Sequence, residues 1–223
     1  MSKNRFREFK PFKVTITIGS NGMYYDPNEP PHLDAIIDWC LRPCKIEKDE
    51  DVFEKGIMPK QIGLPLKVAT IKGLRVFHAS AFFPEGKSFE SITHIRKRFR
   101  RGFENLFEGN PNTKSGQYRE YDMPYPKLHT HKLVAYGFGN VYSIQRLLRE
   151  NINFIGKKRS IGFGQVITID VSEIDTDYSF VKDGKAMRFL PDENGTRQCR
   201  IQPPYWHDFN RVNTCEIGDK YEL

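Results

Sequence analysis

Residues 13–18, KVTITI, alternate so that Val14, Ile16 and Ile18 point one way while Thr15 and Thr17 point the other. That is the period of a half-buried strand. After a Gly/Asn/Pro-rich connection, Leu33, Ile36, Ile37, Cys40 and Leu41 recur at i, i+3, i+4, i+7 and i+8. This spacing predicts one apolar stripe on a helix, closed by Pro43. The stretch LPLKVATIKGLRVFHASAFF, ending at Phe83, reads as two β-rich runs around Lys72-Gly73, either a hairpin or a bulged long strand. The pattern then breaks. Residues 84–127 are rich in charge, Gly and Pro and predict an insertion standing off the core.

Hydrophobic order returns in HTHKLVAYGF, a strand ending at Gly137–Gly139. Asn140 is then placed to cap a helix carrying Val141, Ile144, Leu147 and Leu148 inward. GQVITIDV predicts a strand with Ile167, Ile169 and Val171 on one face, and YSFVKDGKAMRFL a hairpin turning at Asp183-Gly184. Strand, helix, strand, insertion, strand, helix, strand and β-rich tail give an α+β class, the split βαββαβ of a ferredoxin-like or RRM-like domain. The expected organisation is a single domain over 1–223. It carries a basic inserted arm at about 84–127 and a C-terminal β-rich extension at about 172–223.

Charge narrows the function classes. Thirty-five Lys and Arg against 28 Asp and Glu give a net charge of +7 across 223 residues. The isoelectric point is near 9.2. Nucleic acid or an anionic surface is the expected partner class. No segment approaches the roughly 18 apolar residues of a membrane span, and the basic N-terminus lacks a signal-peptide core, so a cytoplasmic location and no membrane partner are expected. Cys40, Cys44, Cys199 and Cys215 are spaced too irregularly for a disulfide framework, and the pair at 40 and 44 lacks the second pair of a zinc ribbon. No metal or cofactor is expected.

The segment IGKKRSIGFGQV, residues 155–166, joins three cations to three glycines just before the last core strand. Gly156, Gly162 and Gly164 can take backbone angles closed to other residues, while Lys157, Lys158 and Arg159 supply charge beside Ser160. Such a loop suits a bent phosphate backbone, or is a glycine turn with solvated cations on its rim. It is not a nucleotide P-loop, since the Gly-x-x-x-x-Gly-Lys-Ser/Thr spacing is absent.

A loop of this type before the last strand of such a domain resembles the signature of the RAMP superfamily of CRISPR-associated proteins. PPHLDAIIDW at 30–39, KLVAYGFGN at 132–140, DGKAMRFLP at 183–191 and PPYW at 203–206 sharpen the likeness. Together they resemble the RAMP subunit of type IV CRISPR effector complexes, related to the protein that caps the 5′ handle of the guide RNA. The resemblance implies that the loop and neighbouring sheet hold guide RNA (crRNA), and that the subunit docks beside a large subunit and backbone subunits. On this chain the implied RNA-binding residues are Gly156, Lys157, Lys158, Arg159, Ser160, Gly162 and Gly164.

A second basic site is HIRKRFRRGF, where Arg96, Lys97, Arg98, Arg100 and Arg101 interleave with Phe99 and Phe103. Read as a helix, it would align Ile95, Phe99, Phe103 and Phe107 in an apolar stripe and leave the cations to grip RNA or displaced target DNA. The plainer alternative is a solvated face over packed phenylalanines. His129 and His131 flank Thr130 on one strand face, and with Tyr136 they are the residues a metal-independent endoribonuclease would use. Tyr205 and Trp206 are expected to pin the tail, and His32 to cap a helix or meet a phosphate. Three readings follow: a non-catalytic guide-RNA subunit, a nuclease that matures the guide, or a module whose basic loop binds an acidic protein.

Overall fold

The computed structural model describes residues 8–42, 63–99, 111–205 and 208–223. Its architecture is mixed, with two α-helices among the described residues and antiparallel strands throughout. The alternating run folds as β1 (Lys10–Ile18), central to the main sheet. On one side β1 pairs with β6 (Tyr121–Gly139) and on the other with β7 (Val166–Glu173). Beyond β6 lies β5 (Phe83–Lys97), so the strands run β5, β6, β1, β7, with the two-residue β2 (Met23–Tyr24) also pairing β6.

Cross-strand pairing carries the hydrophobic pattern from strand to strand. Val14 lies opposite both Ala135 and Val171, and Ile16 opposite both Leu133 and Ile169, so these side chains share a face. The helices α1 (Leu33–Leu41) and α2 (Val141–Asn151) cover it, Leu33, Ile37, Cys40, Ile144 and Leu148 joining the same buried cluster. Asn140 caps α2 as its sequence predicts, its Oδ1 accepting from the Ser143 amide at 2.8 Å. Gly137 faces Phe12 across the pair, where a Cβ would come 2.4 Å from the ring. Ile167 departs from expectation. The register slips between Thr17 and Ile18 of β1, so Ile167 falls in a bulge and is 57% exposed while Ile169 and Val171 are buried.

The segment predicted as an insertion contains the outer halves of β5 and β6, which pair from Ser88↔Thr130 to Lys97↔Tyr121 as one long hairpin. Pro124 and Pro126 sit inside β6, where β5 is its one strand partner among the described residues. A strand with one open side is where a sheet tolerates proline.

Near the inner end of β6 the second sheet face is covered as well. β3 (Val68–Ile71) and β4 (Leu74–Phe77) form the hairpin predicted at Lys72-Gly73, and β8 (Val181–Lys182) and β9 (Lys185–Ala186) the one predicted at Asp183-Gly184. With β10 (Arg197–Arg200) and β11 (Arg211–Thr214) they build a smaller apolar cluster around Val76, Phe180, Leu190 and Ile201. Arg188 joins the two clusters. Fully buried, its guanidinium donates to the carbonyls of Phe77, Ala79 and Ile201, to Tyr205 Oη and to Asp34 of α1.

Candidate nucleic-acid interface

The loop between α2 and β7 is closed by its own backbone, Ile155 N donating to Gly164 O at 2.8 Å and Val166 N to Asn153 O at 2.9 Å. Between these ties Gly156, Gly162 and Gly164 take φ of 85°, 84° and 69°, and Lys158 itself is left-handed at 62°. Gly164 is sterically required, because a Cβ there would fall 1.9 Å from the Ile155 carbonyl oxygen. Its amide donates to Gly22 O at 2.8 Å, fixing the loop to the turn that precedes β2. Phe163 is buried, whereas Lys157, Arg159 and Ser160 are exposed.

Each of the three loop cations rests on an aromatic ring. Lys157 Nζ lies 5.1 Å above Tyr24, Lys158 Nζ 4.5 Å above Tyr125, and the Arg159 guanidinium carbon 5.5 Å from Trp39. Lys127 Nζ adds a fourth, 5.0 Å above Phe163. Tyr24 and Lys127 are partners across β2 and β6 and project to one face, and Tyr125 meets Tyr24 edge-on at 6.2 Å. Among the described residues no carboxylate pairs with Lys157, Lys158 or Arg159. A ring holds a cation in place without occupying its N–H donors, leaving them for an anion such as phosphate.

The same strands continue into a trough of about 720 Å³, lined by Thr17, Lys87, Phe89, His129, His131 and Ile167 among others. Phe89 and His129 pair across β5 and β6 with rings parallel to within 5° and centroids 4.4 Å apart. His129 Nε2 shares a 2.9 Å hydrogen bond with Ser91 Oγ. Burial, and then the nearby Lys127 charge, lower the His129 pKa below the ordinary imidazole value. His129 and His131 thus share a site, but Tyr136 does not join them. It lies seven residues along β6, on the order of 20 Å away, buried beneath the C-terminal extension with its hydroxyl accepting from Lys182 Nζ at 3.1 Å.

The second basic site is a strand and not a helix through Lys97. Pairing with Tyr121–Asp122 overrides the helical spacing of Ile95 and Phe99, so the proposed stripe does not form; Phe103 and Phe107 lie outside the described residues. Arg96 Nε donates to Asp122 Oδ2 at 2.8 Å, with His94 on Oδ1 at 2.6 Å. The His94 hydrogen bond, with Arg96 beside it, holds the Asp122 carboxyl below its usual pKa. Lys97 donates to the Gln117 carbonyl, Arg98 is exposed, and Arg100 and Arg101 lie outside the described residues. Two of the three described cations of this cluster, Arg96 and Lys97, are therefore already engaged within the hairpin.

A family model described as CRISPR type IV associated protein Csf3 matches residues 10–217. The chain belongs to the Csf3 family. In this Csf3-family chain the matched span runs from β1 into the C-terminal extension and includes the glycine loop, the long hairpin and the buried Arg188. A search of the curated proteins returned no match. Among solved structures, one chain of the cryo-EM structure of the Type III-B Cmr-beta bound to cognate target RNA is similar at 8% identity, with a TM-score of 0.35. The likeness covers 74% of this chain and 61% of that one.

Tyr205 does pin the tail, its hydroxyl donating to Asp34 at 2.9 Å; Trp206 lies outside the described residues. His32 neither caps α1 through its side chain nor reaches a surface. It is buried against Phe189 at 5.5 Å, and neither ring nitrogen finds a hydrogen-bond partner among the described residues. Cys44 lies outside the described residues, while Cys40 is buried in the core with its thiol pushed up to about 12 by desolvation. Among the described residues no three His, Cys, Asp or Glu side chains gather closely enough to hold a metal ion, and no described helix is long and apolar enough to cross a membrane. Sequence reasoning missed the rings beneath the cations. Tyr121, Tyr125, Lys127 and His129, at even spacing along one strand, were the available signal.

Proposed function

We propose that this chain is a non-catalytic guide-RNA-binding subunit of a type IV CRISPR ribonucleoprotein, holding the 5′ handle and docking the large and backbone subunits. One observation carries the reading: three consecutive loop cations rest on rings, unpaired with any described carboxylate, on a backbone bent by glycines. Lys157, Lys158 and Arg159 neutralise phosphates, Gly156, Gly162 and Gly164 admit the RNA backbone closely, and Ser160 adds a hydroxyl. Arg96, Lys97 and Arg98, with Arg100 and Arg101, extend the charged track toward RNA or target DNA. Family membership supports the setting, and the strand order β5, β6, β1, β7 beneath two helices supports reading the sheet as ferredoxin-like.

The deciding experiment measures binding of purified chain, alone and with its partner subunits, to repeat-derived handle RNA and to a scrambled RNA at physiological salt. Preference for the handle is expected. Equal affinity in both settings overturns the proposal. Incubation with repeat RNA in chelator tests the nuclease alternative, and a 2′,3′-cyclic phosphate product would establish it.

A further inference from the structure

Phe89 is 63% exposed on a strand otherwise dominated by polar and charged residues. Its ring is nevertheless ordered by more than its own rotamer. The β5–β6 register sets it against His129, Ser91 holds His129 at Nε2, and Gly22 backs the imidazole, since a Cβ there would sit 3.3 Å from Nδ1. The result is a parallel two-ring stack whose phenyl end is open to solvent.

The surroundings limit what the stack can receive. Lys87 and His131 line the same trough, as do the hydroxyl-bearing Thr17, Ser20 and Thr130, and among the described residues no carboxylate does. Gly22, which lines the trough, accepts a hydrogen bond from the Gly164 amide at 2.8 Å, so the backbone of the glycine loop is tied to the trough's edge. Along β6 the stack lies four residues from Tyr125, the ring under Lys158, or about 13 Å. A planar platform with an open face, the Lys87 cation on its rim and a cationic, glycine-bent loop about one strand length away is the chemistry of base stacking on single-stranded nucleic acid. A protein side chain would find neither an acidic partner nor an enclosed apolar slot.

We propose that Phe89 and His129 form a base-stacking subsite that receives one unpaired nucleotide of the RNA whose phosphates the 156–159 loop holds. This rests on the guide-RNA reading above. Phe89 supplies the π face, His129 positions it, and Lys87 screens the adjoining phosphate.

The test uses the full chain and repeat-derived RNA oligonucleotides carrying 2-aminopurine at one unpaired position at a time. Fluorescence quenching is expected at one position, abolished in Phe89→Ala and Phe89→Leu and retained in Phe89→Trp. Affinity should fall by about 5- to 150-fold in F89A with no change in salt dependence. Because Phe89 is exposed, the Leu variant should keep the wild-type melting temperature, separating stacking from folding. If F89A and F89L bind and quench like wild type while a variant with Lys157, Lys158 and Arg159 all changed to Ala still loses affinity, the subsite is refuted and the guide-RNA reading stands. If wild type binds none of the oligonucleotides, both fail.

Discussion

Arg188 and Asp34 are 154 residues apart in the chain and meet at 3.2 Å with both side chains fully buried. The pair is the pin between α1 and the C-terminal extension, because the same guanidinium also holds carbonyls of Phe77, Ala79 and Ile201. Removing the cation leaves a carboxylate and three carbonyls buried without it. Arg188→Ala should therefore lose about 3–5 kcal/mol, read as a drop in the urea midpoint. Combining Arg188→Met with Asp34→Leu should recover part of that loss, since the double change leaves no orphaned charge. Wild-type stability in R188A would show that the pin bears no weight.

The loop cations predict a salt signature. Each phosphate contact contributes a slope of about 0.7 in log affinity against log salt for a single strand. Replacing Lys157, Lys158 and Arg159 together by Ala should flatten the slope for handle RNA by up to about 2. Tyr125→Leu is the informative partner, because it removes the ring beneath Lys158 and keeps every charge. It should weaken binding about two- to fivefold and leave the slope unchanged. A slope that survives the triple variant would move the phosphate contacts elsewhere.

Two glycines at nearly the same backbone angle separate conformation from crowding. Gly164 and Gly184 lie at φ 69° and 73°, yet a Cβ at Gly184 meets nothing within 4 Å while one at Gly164 reaches the Ile155 carbonyl at 1.9 Å. Gly184→Ala should cost only the left-handed penalty, about 1–2 kcal/mol. Gly164→Ala should cost roughly 3 kcal/mol or more, since the loop closure at Ile155 must open. Thermal melts of the two variants give the comparison, and equal losses would mean the loop yields easily.

What the sequence disclosed follows from the range of the forces involved. The α1 stripe, the Asn140 cap and the turns at Lys72-Gly73 and Asp183-Gly184 are local devices written within a few residues, and each stands where the pattern puts it. The glycine loop was equally legible as a place of charge and bent backbone. The outer hairpin was not, because Pro124 and Pro126 argue against a strand until the unpaired edge of β6 is known. Ile167 keeps the alternation and still leaves the face, since a bulge is set by the partner strand. Least legible was Arg188, a cation that meets three carbonyls, two of them more than 100 residues away, and a carboxylate 154 residues away. The rings under the loop cations come from β2, β6 and α1, brought together only by folding.

The buried imidazole of His32 makes stability depend on pH in a defined direction. Burial, and then the Arg188 charge, hold its pKa well below 6.5 in the folded chain. The unfolded chain binds a proton near 6.5 and the folded chain does not, so the unfolded state carries more protons below that value. The stabilising effect is complete above about pH 7.5 and is lost as pH falls through 6.5 toward the folded pKa. From this group alone the loss is about 1.4 kcal/mol per pH unit. His129, whose folded pKa is also lowered, acts in the same direction. Since His32 already stacks on Phe189, His32→Phe keeps the ring and removes the proton site. Urea midpoints measured from pH 8 to pH 5 should fall steeply in wild type and more gently in H32F. Parallel pH profiles for the two proteins would mean that His32 takes up its proton without unfolding the chain.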